Sequence, residues 1–318
     1  MREASLEEVY KLAKRDERVF FVGSDLGVGT LNKFKQEMPD RFFMEGISEG
    51  YLIGMASGLA LEGKIVYVNT IGTFITRRCY EQLAVDVCLH NLNVRMIGNG
   101  GGMVYAPLGP THMAIEDLSI MRALPNMTIV APADADEMRR FIPQTLDYPG
   151  PIYIRLAKGY DPIVTRDNVP FRIGKALPMR PGRDALLVTT GITLKCALDA
   201  ADQLSKQGIE AAILHMPTVK PLDVDQLLAH VSPVRAVVTI EENTVVGGLG
   251  SAVAEVIAEA DFGTAKKFRR LGVPDVFPDK YGSQADLMNH YGISARAAVA
   301  AVGSLLGASI SATRTGTK

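Results

Sequence analysis

The chain alternates short, almost wholly apolar runs with longer stretches of helical spacing. In the first half the apolar runs are Val19-Phe-Phe-Val-Gly, Ile65-Val-Tyr-Val, Val94-Arg-Met-Ile, Thr128-Ile-Val and Ile152-Tyr-Ile. Strands without polar alternation are buried on both faces, and helices between them predict a parallel sheet covered on both sides. Helices are expected from a capping box at Ser5-Leu-Glu-Glu8 to about Ala13, through Tyr51–Leu61, from about Thr76 to Cys88, after Ala114, and from about Asp134. The second half repeats the rhythm. Its strands are Ala185-Leu-Leu-Val-Thr, Ala211-Ala-Ile-Leu-His and Ala236-Val-Val-Thr-Ile, with helices from about Leu194, Val224 and Gly250. Between the halves, Asp161-Pro, Asn168-Val-Pro170, Pro178 and Pro181-Gly182 mark an interdomain crossing. The pattern predicts an α/β chain of two doubly wound domains, mostly parallel sheets with helices on both faces. They are residues 1–160 and 184–307, joined by a linker at 161–183 and followed by a mobile tail at 308–318. A chain of 318 residues is long enough for two such cores.

One carboxylate stands out against this pattern. From Tyr51 to Leu61 every residue is apolar or small, and Glu49 sits at the mouth of that run. Ser48 or Glu49 can cap the helix, where a first-turn carboxylate suits the dipole. Alternatively, apolar walls favour the neutral carboxyl and make Glu49 a proton donor near neutral pH. Two glycine clusters are less specific. Gly98-Asn-Gly-Gly-Gly102 follows a strand and either cradles an anion or supplies a loop with positive φ angles. Gly247-Gly-Leu-Gly-Ser-Ala252 lacks the third glycine of a dinucleotide fingerprint and reads as tight strand-to-helix packing.

Composition excludes more than it assigns. A net charge of -1 without a basic tract gives no reason to expect nucleic acid or an anionic membrane as partner. No apolar run reaches membrane-spanning length, and the N-terminus lacks the basic start and apolar core of a signal peptide. Three cysteines, Cys79, Cys88 and Cys196, are an odd number without metal-ligand spacing, the pattern of free thiols in a reducing cytoplasm.

Several separate segments, in consistent order, resemble the transketolase and deoxyxylulose-phosphate synthase family. They are Ser24-Asp-Leu-Gly, Gly46-Ile-Ser-Glu49, Thr73-Phe74 with Arg78-Cys-Tyr-Glu-Gln82, and Gly109-Pro-Thr-His112-Met-Ala-Ile-Glu-Asp-Leu. The run Arg122-Ala-Leu-Pro-Asn-Met-Thr-Ile-Val-Ala-Pro-Ala-Asp is highly typical, and Glu241-Glu-Asn-Thr-Val-Val-Gly-Gly-Leu-Gly-Ser-Ala-Val and Gly272-Val-Pro-Asp-Val-Phe match the family's C-terminal domain. The resemblance implies a pyrimidine-binding domain for thiamine diphosphate. Glu49 is then the catalytic glutamate that bonds the pyrimidine ring nitrogen and promotes the imino form of its amine, which accepts the thiazolium proton. Phe74 stacks on the pyrimidine, with Arg78 in the same segment, and Ile47 forms an apolar wall. Asp25 lines the cofactor channel, with an Asx turn as its plainer role. His112 contacts the sugar's carbonyl or hydroxyl oxygens and shuttles protons. Lys158 falls where relatives carry a phosphate-binding arginine, and Arg2 is given a similar role.

The sequence departs from the family at two points. Leu108 stands where many transketolases carry an aspartate that recognises a substrate hydroxyl, which implies altered sugar specificity. Nor does the sequence contain the Gly-Asp-Gly…Asn motif that holds the metal and diphosphate. The resemblance therefore implies the C-terminal subunit of a split enzyme, an α2β2 assembly in which an N-terminal, diphosphate-binding subunit carries most of the contacts to Mg or Ca. The reaction implied is transfer of a two-carbon ketol unit between sugars or sugar phosphates. Two alternatives share much of this pattern: the beta subunit of a 2-oxoacid dehydrogenase, and a catalytically silent assembly subunit.

Overall fold

The computed structural model describes residues 1–24, 29, 31–157, 161–165 and 170–307. All eight expected strands form, and they divide between two sheets. In the first, β1 (Val19–Gly23), β3 (Ile65–Ile71), β4 (Val94–Asn99), β5 (Thr128–Val130) and β6 (Ile152–Arg155) run parallel. The sheet gains β2 (Phe42–Met44) beside β1, and one antiparallel strand, β10 (Thr218–Lys220), from the second half of the chain. Its order is β10-β5-β6-β4-β3-β1-β2. The second sheet contains β8 (Ala185–Thr189), β9 (Ala211–His215) and β11 (Ala236–Thr244), all parallel, with β7 (Leu177–Arg180) and β12 (Lys267–Val273) at its edges. The α/β architecture of mostly parallel sheets is as the apolar runs require.

Helices cover the first sheet on both faces. On one, Leu6, Val9 and Leu12 of α1 (Arg2–Arg15) meet Met138 and Phe141 of α6 (Ala135–Phe141) over Ile152 and Ile154. On the other, Leu52, Ile53 and Ala56 of α3 (Glu49–Leu61) pack with Ile75, Leu83 and Val87 over Val66, Val68 and Val94. Shorter helices α2 (Asn32–Glu37), α4 (Tyr80–Gln82) and α5 (Asp117–Arg122) complete this half. In the second, α7 (Thr193–Ser205) and α8 (Val224–Val231) form where the apolar spacing places them. The two halves also share a core, in which Met103, Met113 and Ile115 pack with Leu187 and Leu194. Burying so much aliphatic surface, at roughly 25 cal/mol per Å², makes this seam part of the folded state.

Several local expectations are corrected. Helix α1 begins at Arg2, so Ser5 lies inside it, and its buried hydroxyl donates to the Arg2 carbonyl at 2.9 Å instead of capping. Ser48 precedes α3, but its hydroxyl donates back to the Glu45 carbonyl and neither it nor Glu49 caps the helix by side chain. The helix expected from Thr76 starts at Phe74 and widens to π turns at Phe74–Arg78 and Leu83–Cys88. The Pro-rich crossing holds β7, where Pro178 is tolerated because an edge strand need not donate on both sides. Residues 308–318 lie outside the described residues.

The glycine clusters resolve into backbone requirements. Gly100 and Gly102 take positive φ angles of 73° and 67°. A Cβ at Gly248 would stand 2.1 Å from the Glu241 carboxylate. That carboxylate accepts the Leu249 and Gly250 amides at 2.8 Å each, tying β11 to the start of α9 (Leu249–Glu259).

Candidate active site

The order of the first sheet reverses beside β1. The chain leaves β1 for β2 on one side and returns to β3 on the other. In open α/β sheets, ligands bind outside the carboxyl ends of strands at such a switch point. Here the strand ends are joined by polar contacts. The Ser24 hydroxyl donates to the Thr70 hydroxyl at 3.1 Å, and Asn99 Nδ2 donates to Asn69 Oδ1 at 2.7 Å and to the Thr70 carbonyl at 2.9 Å.

Glu49 opens α3 above this floor and is 2% exposed. Leu52, Ile53 and Ala56 draw the helix into the core and take the carboxylate with them. Apolar walls alone do not describe its surroundings, because Arg78 Nη1 donates to Glu49 Oε2 at 2.6 Å. A carboxylate removed from water needs such a partner. The Arg78 side chain is 51% exposed, and its guanidinium carbon lies 4.5 Å from the centre of the Phe74 ring. Cys79, directly after it, is no nucleophile: burial pushes its thiol up to about 12, and the nearby Glu49 charge adds to the rise.

The π turn sets Phe74, Arg77 and Arg78 around one open cleft, with Thr73 and Thr111 on its lining. The ring of His112 meets Phe74 edge-on, with centroids 5.2 Å apart and planes at 66°. His112 Nδ1 lies 2.9 Å from the Thr111 hydroxyl. Arg77 donates to the Met113 carbonyl at 2.8 Å and pairs with Glu116, so it ties the His112 loop to the Phe74 helix.

Glu49, Arg78, Phe74 and His112 are therefore brought together. Ile47 is 71% exposed beside α3. Leu108 ends a short turn and is 54% exposed; Gly109, with φ of 80°, then redirects the chain toward His112. Arg2 begins α1, which packs against α6 rather than the elements carrying Glu49 and Phe74. Asp25 and Lys158 lie outside the described residues. Arg77 and Glu116 escape the sequence reading as site residues. The adjacent arginines directly after Phe74-Ile-Thr are the available signal for Arg77.

The site accommodates one part of a thiamine-type cofactor. A flat guanidinium already lies on Phe74, so that ring presents a face that stacks planar groups, and the buried Glu49 carboxylate lies beside it. Thr73 Oγ1, on the same cleft, is buried without a hydrogen-bond partner among the described residues. Among the described residues, no three His, Cys, Asp or Glu side chains cluster to hold a metal ion.

A doubly wound domain presenting a buried glutamate, an open aromatic face and a histidine loop at its switch point defines a chain of the pyrimidine-binding class. Residues 1–160 match the family described as "Transketolase, pyrimidine binding domain" and residues 174–297 match "Transketolase, C-terminal domain". The chain belongs to the transketolase family, whose members depend on thiamine diphosphate, and it is of the C-terminal-subunit type found in split transketolases. It is 37% identical to the 6-deoxy-6-sulfo-D-fructose transketolase subunit of Clostridium sp. (strain MSTE9), over 95% of this chain and 92% of that protein. It is 36% identical to an apulose-4-phosphate transketolase subunit of Actinobacillus succinogenes, over 86% of this chain and 88% of that protein. A 1-deoxy-D-xylulose-5-phosphate synthase of Geobacter sulfurreducens is 36% identical over 94% of this chain, which spans 47% of that protein. A solved structure described as "Split gene transketolase, inactive beta4 tetramer" superposes with a TM-score of 0.88, at 36% identity over 96% of this chain and 98% of that one.

Proposed function

We propose that this chain is one subunit of a split transketolase that moves a two-carbon ketol unit from a ketose, or ketose phosphate, to an aldose acceptor. The observation that carries the reading is the run of contacts Glu49–Arg78, Arg78–Phe74 and Phe74–His112, with Arg78 and Phe74 lining one open cleft. Thiamine diphosphate, when bound, supplies a nucleophilic carbon and an electron sink for the cleaved carbon–carbon bond. Glu49 shares a proton with the pyrimidine ring nitrogen, taking up the hydrogen bond that Arg78 now makes. Phe74 holds the pyrimidine plane. His112, edge-on to Phe74 and next to Thr111 of the cleft, holds a proton at the carbonyl or hydroxyl oxygen of the sugar.

The diphosphate and its Mg or Ca ion belong, in this reading, to a separate N-terminal-type subunit, with self-association giving an α2β2 assembly. The description of a related beta-type tetramer as inactive supports that requirement for a partner. The exposure of Ile47, a residue the resemblance gives to the cofactor pocket, also supports a second surface closing over it. Among the described residues no helix is long and apolar enough to cross a membrane. The three free cysteines support a cytoplasmic setting.

Reconstitution tests this function. The chain is mixed with its diphosphate-binding partner, thiamine diphosphate and Mg, and supplied with a panel of ketose and aldose pairs. Two-carbon transfer that requires both chains is the expected result. Turnover of pyruvate or a branched 2-oxoacid without ketose activity would overturn it.

A further inference from the structure

The segment carrying His112 is held from both halves of the chain. Thr244, at the end of β11, donates its amide to the Ile115 carbonyl at 2.6 Å. Arg155 Nη2 bridges the Ala114 carbonyl and the Glu242 carbonyl, each at 2.7 Å, while its Nε lies 3.0 Å from Asp117. Ala114 in turn exchanges two backbone hydrogen bonds with Gly102, at 2.8 and 2.9 Å. Directly after Gly102, the Met103 amide donates to Glu242 Oε1 at 2.7 Å.

The Glu242 side chain reaches both sides of this seam. It is 4% exposed, and Gln284, at the start of α10 (Gln284–His290), donates to its two oxygens at 2.9 and 3.1 Å. The fit is close, because a Cβ at Gly102 would stand 2.3 Å from the carboxyl carbon. Another contact reaches the same loop from the second half, where the Tyr281 ring lies against Gly109. Among the described residues Glu242 makes no hydrogen bond to Glu49 or His112; it lines a small cavity with Gly101, Arg155 and Ile192.

We infer that Glu242, set by Gln284, is a positioning residue: through Met103, Gly102 and Ala114 it fixes the place of the His112 imidazole against Phe74. The second domain thereby acts on the reaction and does more than enlarge the core. Its carboxyl is pushed up to about 7, chiefly by burial, with Arg155 opposing the rise. The other titratable groups facing it are Asp117 and Cys196, neither of which replaces its bond to Met103.

This inference rests on the proposed function for its kinetic consequence but not for its geometric one. The experiment uses the full chain in complex with its partner, labelled with ¹³C-histidine. The sequence has five histidines, and His112→Asn identifies the His112 signal. Gln284→Ala, at a half-buried site, should move or broaden the His112 signal and leave His90 and His230 unchanged. It should also lower kcat/KM for the ketose about tenfold while the Kd for thiamine diphosphate stays within about twofold, since misplacing a group by about 1 Å costs up to about a hundredfold. Glu242→Ala should act in the same direction more strongly, and Glu242→Gln, which can still accept from Met103, should restore both readouts to within about threefold of wild type. A His112 signal unmoved by Gln284→Ala overturns the inference, as does a parallel loss of thiamine diphosphate binding. An inactive wild-type complex would overturn the proposed function instead, leaving the imidazole signal, read without substrate, to decide this one.

Discussion

Arg78 Nη1 stands 2.6 Å from the buried carboxylate of Glu49, while the rest of the arginine is half in solvent. The pairing is asymmetric. The glutamate is fixed by the core around α3, whereas the arginine is half exposed and lies over the Phe74 ring. A carboxylate held in this way is kept from water yet remains available to a ring nitrogen.

That asymmetry sets the cost of breaking the pair. Losing one partner of a fully buried ion pair costs about 3–5 kcal/mol. Solvent already reaches Arg78, so Arg78→Met should destabilise the isolated chain by only about 1 kcal/mol. Adding Glu49→Gln should return most of that loss, because no buried charge is then left alone. Urea unfolding of the two single variants and the double variant measures the cycle, and strictly additive losses would contradict the pairing.

Glu49→Gln should also separate stability from chemistry. The amide keeps the shape but cannot share a proton in the same way, so ketol transfer should fall by about 10²–10⁴-fold. The folded chain and its binding to the partner should persist. Circular dichroism and a transfer assay on the same preparation make the comparison. Full activity in this variant would favour a silent assembly role.

Leu108 tests specificity. Its side chain is half-exposed on the turn before His112 and offers no hydrogen-bond acceptor. Leu108→Asp should shift relative kcat/KM across a ketose and aldose panel toward sugars with a hydroxyl in reach, by about tenfold for the favoured sugar. An unchanged ranking would remove Leu108 from the substrate site.

The seam carboxyls make stability depend on pH in an unusual direction. Burial pushes Glu241 and Glu242 up to about 7 from an ordinary value of 4.5. A carboxyl raised on folding is at no disadvantage below its unfolded value, and its burial becomes costly as pH rises through the folded one. Each group therefore removes stability between about pH 4.5 and 7, by at most about 3 kcal/mol. The unfolding free energy of Glu242→Gln should fall less steeply than that of wild type across this window. Parallel pH profiles would show that Glu242 does not titrate there.

Much of this molecule is legible in its sequence, for identifiable reasons. Strands such as Val19–Gly23 and Ala236–Thr244 announce themselves because both faces are buried and hence apolar. Strands β2 and β12 do not, since Phe42–Met44 is only half-buried and Lys267–Val273 carries Lys267, Arg269 and Arg270 on an exposed edge. Helix α11 (Ala295–Leu306) escapes notice although Ser294 caps it through the Ala297 amide. Glu49, Phe74 and His112 are singled out by short motifs, and the structure sets them in one chain of contacts through Arg78. Arg77, Glu116 and Gln284 act through pairings that join residues 39 and 42 positions apart, which no local pattern encodes. The capping box fails because Ser5 packs inward, a tertiary choice that overrides a local one.

The central claim is that this chain completes an active site only with a second subunit. The most direct measurement is to purify the tagged chain from its own cells and weigh the intact complex by native mass spectrometry. The account predicts a second chain carrying a Gly-Asp-Gly motif, two copies of each, with thiamine diphosphate and a divalent metal bound. An assembly of this chain alone, free of cofactor and unable to recruit such a partner when one is added, would contradict it.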